Sequence, residues 1–213
     1  MVEWNYGGAH LRHDMTGIIE LPNDSKVQVA DLTKELPEFM MLADCLFIDP
    51  PCSNGNLRSF HTKADMDLMY EFKDFEEALF RRIETIGPRD VFIEVFKSNK
   101  ASFIERLEKL YGSVRVHDSF YYNKPANRCW ILQASRRPTF PEFDIGGIDE
   151  AKAIQRICSG FEFDTIGDLC MGKGLVGKHA YLAGRRFVGT ELNRKRLAVL
   201  VDFIREQETK KAA

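Results

Sequence analysis

Residues 46–52, Leu-Phe-Ile-Asp-Pro-Pro-Cys, end an apolar run in a carboxylate and follow it at once with two prolines. Proline fixes φ, donates no hydrogen bond and pushes the residue before it toward extended geometry. Asp49 therefore belongs at the end of a strand, on a stiff turn whose carbonyls lack local partners. That is chemistry for holding an amino group. One N–H is accepted by the Asp49 carboxylate and another by a backbone carbonyl, that of Pro50. A turn that merely caps a strand has the same local sequence, so the reading depends on the rest of the sequence.

A second group lies more than a hundred residues further on. Residues 165–174, Thr-Ile-Gly-Asp-Leu-Cys-Met-Gly-Lys-Gly, read as a strand breaking into a glycine-rich turn before a helix. The next predicted strand, 187–191, ends in Glu191. Two glycines alone say little, because glycine turns are common. In this context they describe a nucleoside site: the glycines let the backbone approach a ligand, and the acid at the following strand's end takes the ribose hydroxyls. The third glycine of the dinucleotide fingerprint is missing, and Lys173 between the glycines is foreign to a pyrophosphate turn.

These two groups need a scaffold that ends several strands on one edge. An N-terminal arm with Trp4 and Tyr6 is expected to touch substrate or cofactor. Short strands are expected at 17–21 and 26–31, the second ending in Asp31, with a short helix over 32–36. The strand 43–49 follows, then a polar stretch, 53–64, expected to form a mobile lid over a site. Leu68, Phe72, Phe75, Leu79, Ile83 and Ile86 repeat at three and four residues. They predict an amphipathic helix capped by Asp67 and ended by Gly87-Pro88. A central strand at 91–96 and a helix at 99–111 come next. Two strands, 114–121 and 128–134, form an antiparallel hairpin. After a linker at 136–147, Asp149 caps a helix running to Cys158, a helix covers 175–183, and Asn193 caps the last one. Strand, carboxylate, helix, strand, carboxylate is the rhythm of an α/β protein with a mostly parallel sheet.

With 213 residues and 44% hydrophobic content, the protein can bury one sizeable core, so a single domain over 1–213 is expected. No apolar run approaches the roughly 20 residues needed to span a bilayer, and the polar, aromatic N-terminus is no signal peptide. Five cysteines, none in a Cys-x-x-Cys pair, are the usage of a reduced, cytoplasmic protein. His10 and His13 have no carboxylate or cysteine to complete a ligand set, so no metal is expected. The net charge of −2 hides an asymmetry: residues 1–79 carry −9 and the remainder +7. A basic C-terminal part suits a phosphate backbone, although a solvated helix face has the same composition.

Asp49-Pro-Pro-Cys52, together with Asp168-x-x-x-Gly172-x-Gly174 and Gly189-Thr-Glu191, resembles the S-adenosylmethionine-dependent amino-methyltransferases. These methylate exocyclic nitrogens, most often adenine N6 or cytosine N4 in DNA. Residues 183–193, Ala-Gly-Arg-Arg-Phe-Val-Gly-Thr-Glu-Leu-Asn, look like the segment after the glycine loop in the DNA enzymes. The resemblance covers most of the chain, in the permuted motif order. It implies a Rossmann-like fold with seven strands, an antiparallel hairpin and helices on both faces. S-adenosyl-L-methionine would be the cofactor, bound by Asp168, Cys170, Gly172, Gly174, Glu191 and Asp31, and Asp49, Pro50, Pro51 and Cys52 would form the catalytic turn. The sequence departs from the family at Cys52, where an aromatic residue normally stacks on the base; Phe60, Tyr121 or Tyr122 would supply that face instead. It departs again in lacking a target-recognition region. DNA is the implied partner, with a homodimer or partner subunit helping recognition and no membrane involved. An RNA adenine-N6 enzyme and a non-catalytic, cofactor-binding or substrate-presenting subunit are the competing readings.

Overall fold

The computed structural model describes residues 6–212. The N-terminal segment holds α1 (Ala9–Arg12) and leads into a hairpin of β1 (Ile18–Leu21) and β2 (Ser25–Val29). Asn23 and Asp24 take left-handed φ of 60° and 54° at its tip, the backbone a tight hairpin turn requires. A 3₁₀ segment, Glu38–Leu42, precedes β3 (Cys45–Ile48), α2 (Asn54–Lys63), α3 (Phe72–Ile86), β4 (Asp90–Val95) and α4 (Lys100–Tyr111). Then come β5 (Val114–Phe120), β6 (Arg128–Ser135), β7 (Ile148–Asp149), α5 (Glu150–Gly160), β8 (Thr165–Asp168), α6 (Leu175–Leu182), β9 (Arg186–Glu191) and α7 (Arg194–Ala212).

The strands make one sheet in the order β1-β2-β9-β8-β3-β4-β6-β5-β7. From β2 to β4 every pair is parallel, while β6 pairs antiparallel with both β4 and β5. The sheet therefore has nine strands rather than the expected seven. The additions are β1, which joins one edge through its hairpin, and the two-residue β7, which pairs parallel with the end of β5.

Alternation along the central strands builds two cores. Leu46, Ile48, Val91 and Ile93 pack with Phe75, Leu79 and Ile83 of α3 and Phe103 and Leu107 of α4. Phe47 and Phe92 point the other way, against Ile154 and Ile157 of α5 and Leu197, Leu200 and Val201 of α7. A strand covered on both faces must be apolar at every position, as β3 is.

Two local expectations are corrected, and the stretch expected to form a lid takes a form the sequence left open. α3 starts at Phe72, not near Leu68, because Glu71 and Asp74 form a reciprocal capping box beyond Asp67. No helix forms over 32–36; Asp31 closes a turn there, and Pro37 disfavours helical geometry at Leu36. The stretch 53–64 is helical, since Ser53 accepts a hydrogen bond from the Asn56 N–H as an N-cap and Leu57 and His61 are buried one turn apart. Asp149 and Asn193 do cap their helices, accepting from the N–H groups of Ala151 and Lys195.

Candidate active site

Four neighbouring parallel strands end on one side of the sheet, and each end is followed by, or carries, an acid. In sheet order these are Asp31 after β2, Glu191 on β9, Asp168 on β8 and Asp49 after β3. The crevice at the carboxyl ends of parallel strands is the usual place for a ligand in such a sheet. Here it is a cavity of about 650 Å³, and all four acids line it.

The glycine turn forms the floor. Gly172 and Gly174 have φ of +55° and +79°, which side-chain-bearing residues rarely adopt. A Cβ on Gly174 would lie 2.6 Å from the Leu200 Cβ, so α7 packs tightly against this turn. Asp168 accepts the Cys170 N–H through Oδ1 at 2.8 Å. Glu191 ties the turn to the last helix: Oε2 accepts from the Gly172 N–H at 2.7 Å and Oε1 from the Asn193 N–H at 2.9 Å. Burial raises Glu191 above the ordinary carboxylate range and Asp168 well above it, although these backbone donors pull the other way. Tyr6 lies at the cavity wall with Lys173 5.6 Å from its ring centroid. The N-terminal segment is held in place where Arg12 and His13 both bond Asp202 of α7. Trp4, the other aromatic residue expected in that arm, lies outside the described residues.

At the far end of the cavity, Asp31 Oδ1 accepts from the Thr33 N–H and hydroxyl at 3.0 and 2.7 Å. Its Oδ2 is buried with no hydrogen-bond partner. Tyr70 stands over this acid. Its hydroxyl is 3.0 Å from His61 Nε2 and 3.4 Å from Asp31 Oδ1, and His61 Nδ1 is 3.0 Å from the Leu57 carbonyl. With the imidazole proton on Nδ1, directed at that carbonyl, the neutral ring's Nε2 accepts the single Tyr70 proton. Asp31 Oδ2 makes no hydrogen bond and lies 3.6 Å from Lys34 Nζ.

Asp49 opens onto the cavity. Tyr121 donates to its Oδ1 at 3.3 Å and is itself stacked on Phe96, with centroids 5.2 Å apart and planes 12° apart. Tyr122, at the tip of the β5–β6 hairpin, is 82% exposed and still lines the cavity, with its ring tilted against Tyr121 at 5.9 Å on one side and open on the other. Beside Asp49 stand two further acids, Glu94 on β4 and Glu150 at the start of α5. Asp49 keeps an exposed surface inside the cavity but is ringed by protein. That desolvation pushes it up to about 6; the Tyr121 hydrogen bond and Arg196 oppose this. Burial, then the charges of Asp49 and Asp149, push Glu150 up to about 8. Glu94 is raised well above its normal range by burial and then by the charges of Asp49 and Glu150.

The sequence-derived residues mostly converge. Asp31, Asp49, Pro51, Phe60, Tyr121, Tyr122, Asp168, Cys170, Gly172 and Glu191 line the cavity. Pro50, Cys52 and Gly174 are not part of its wall: Cys52 turns its thiol to the Asn56 side chain, and Gly174 is packed under α7. His61, Tyr70, Glu150 and Arg196 also line the cavity and escape the sequence reasoning. Arg196 covers the Phe60 ring at 4.6 Å; nothing local in the sequence marks it. All five cysteines are free. Among the described residues, no helix is long and apolar enough to cross a membrane.

No family model matches the chain, and no curated protein sequence matches it. Solved structures do. The S-adenosyl-L-methionine complex of M1.HpyAVI aligns with a TM-score of 0.59 over 83% of this chain and 97% of that chain, at 15% identity. TTHA0409 of Thermus thermophilus, provisionally named a DNA modification methylase and also complexed with S-adenosyl-L-methionine, gives 0.60 over 85% and 93%, at 14% identity. This chain therefore has the α/β fold of those proteins, a mixed sheet flanked by helices.

Proposed function

We propose that the chain is an S-adenosyl-L-methionine-dependent methyltransferase acting on an exocyclic amine of a base in DNA. Adenine N6 is the first target to test and cytosine N4 the second. The observation that carries this reading is that one cavity joins Asp49 to Asp168, Gly172 and Glu191, more than a hundred residues away in sequence. Two proteins of the same fold were solved with this cofactor, and one bears a DNA-methylase name. The wall also fits the group. Asp31 lines the cavity as the acid for an adenine amine, with Lys34 3.6 Å from its Oδ2, and each Glu191 oxygen keeps a lone pair for a ribose hydroxyl.

When bound, the cofactor supplies an electrophilic sulfonium methyl. The protein's part is to make a poor nucleophile attack. The lone pair of an exocyclic base amine is spread into the ring. Asp49 accepts one of its N–H bonds, favouring a more tetrahedral nitrogen; Pro50, expected to accept the other, lies outside the cavity wall. Tyr121 engages Asp49 Oδ1 and leaves Oδ2 for the amine. Positive charge builds on the nitrogen as the new bond forms, and the Asp49 carboxylate stabilises it; the sulfur–methyl electron pair would stay on sulfur as a neutral thioether, and the nitrogen would release one proton past Asp49 to water. Fixing both reactants in one cavity removes much of the entropic cost of their encounter. In duplex DNA the base first leaves the stack, at a cost of a few kcal/mol, and Tyr122 offers the face on which it stacks in place of Cys52. Recognition of the target sequence falls to α2, the N-terminal segment and the hairpin tip, or to a second subunit.

Incubation with methyl-labelled cofactor and unmodified DNA, in parallel with RNA, tests this reading. Label is expected in DNA. Asp49→Ala is expected to keep cofactor affinity and lose transfer by at least a hundredfold. Tight cofactor binding with no label in either nucleic acid, or full turnover by Asp49→Ala, would overturn it.

A further inference from the structure

We propose that Asp49, Glu94 and Glu150 together form a binding site for one divalent, oxygen-preferring cation. The three carboxylates come from separate elements: the turn after β3, the β4 strand, and the first turn of α5. Each offers an oxygen, and these oxygens all lie within 4.8 Å of one another. Oxygens bound at roughly 2.1–2.6 Å to a common ion can be no more than about 5 Å apart. The set is therefore already closed to coordination size.

A second observation is independent of this spacing. Glu94 is 1% exposed, and neither of its carboxylate oxygens makes a hydrogen bond of normal geometry; the Tyr121 hydroxyl and the Cys129 thiol act on it only as loose, neutral donors. Its strand neighbours Ile93 and Val95 are fully buried. A buried acid held only by such neutral donors is costly unless a cation or a proton neutralises it. None of the three acids forms an ion pair among the described residues, and Glu94 is directed at two more acids rather than at a lysine or arginine. Asp49 opens on the cavity, so water can fill the remaining coordination positions. Hard carboxylate oxygens without a histidine or thiol favour Ca²⁺, Mn²⁺ or Mg²⁺ over zinc.

The consequence for activity rests on the methyltransferase reading. A cation on Asp49 would neutralise the carboxylate that receives the amine, so divalent ion and acceptor base would compete. Binding itself is tested without that reading. The unliganded protein is titrated with Mn²⁺ at pH 7.5 and free ion is followed by electron paramagnetic resonance. One Mn²⁺ per chain is expected, weakened at least tenfold in Glu150→Gln, a substitution at a helix start, and in Glu94→Gln, with melting curves confirming that both fold. No binding by the wild-type protein at millimolar Mn²⁺, or binding that both variants retain, would overturn the site and leave protons as the neutralising species. Cofactor affinity measured on the same samples separates the two proposals, because it does not depend on the cation.

Discussion

Glu191 is the residue whose replacement the structure tests most directly. Both of its oxygens are taken, one by the Gly172 N–H and the other by the Asn193 N–H. In Glu191→Gln one of these atoms becomes an NH₂ group. Either orientation of the amide sets a donor against a backbone donor, and the surviving bond loses its charge. A hydrogen bond to a charged group contributes about 1.5–3 kcal/mol, and losing one should cost this fold about 2 kcal/mol. For a protein of this size that lowers the melting temperature by roughly 4–8 °C. The same change removes an acceptor proposed for the ribose and loosens the Gly172 turn, so affinity for the methyl donor should fall by about 10- to 150-fold, the same energy read as binding. Thermal melts without ligand give the first quantity, and calorimetric titration with the demethylated product gives the second. A variant that melts within about 1 °C of wild type and binds within about threefold would refute the assignment of Glu191 to both tasks.

Tyr122→Ala should leave cofactor affinity intact and raise KM for DNA, since stacking a base on an aromatic ring is worth about 1–3 kcal/mol; filter binding and steady-state kinetics check this. Gly174→Ala should destabilise by about 3 kcal/mol, combining the left-handed backbone with a clash against Leu200, and is read by denaturant titration. Glu150 has a folded pKa of about 8, above its usual value. Its contribution to stability is therefore complete below the unfolded pKa and lost as pH rises through about 8. The unliganded protein should be less stable at about pH 9 than at about pH 6, by on the order of 2 kcal/mol once partial solvent exposure is allowed for. Glu150→Gln should flatten that slope, and an unchanged slope would remove Glu150 as its source.

The parts of the site that lie at strand ends are legible because the sequence marks them twice, by an apolar run and by the acid or glycine that ends it. Asp49, Asp168 and Glu191 are all of this kind. Asp31 falls where the sequence puts it, although the helix expected after it does not form, because Pro37 outweighs the propensity of the residues before it. The helical form of 53–64 is hidden by Gly55 and the polar composition, while its signal, a serine cap with Leu57 and His61 four apart, is present. Glu94 is visible as a lone acid inside an otherwise apolar strand, Val-Phe-Ile-Glu-Val-Phe, yet nothing local separates it from an ordinary strand residue. Its meaning depends on Glu150, far away along the sequence. Tyr70 and Arg196 reach the cavity through tertiary packing alone, and no local pattern announces that.

The two edges of the sheet differ in what they offer a second copy. One edge is the four-residue β1. On the other, β7 covers only Ser119 and Phe120, so Val114–His117 of β5 have no strand partner on that side among the described residues. Backbone pairing between molecules would have more unpaired N–H and C=O groups to work with at β5 than at β1.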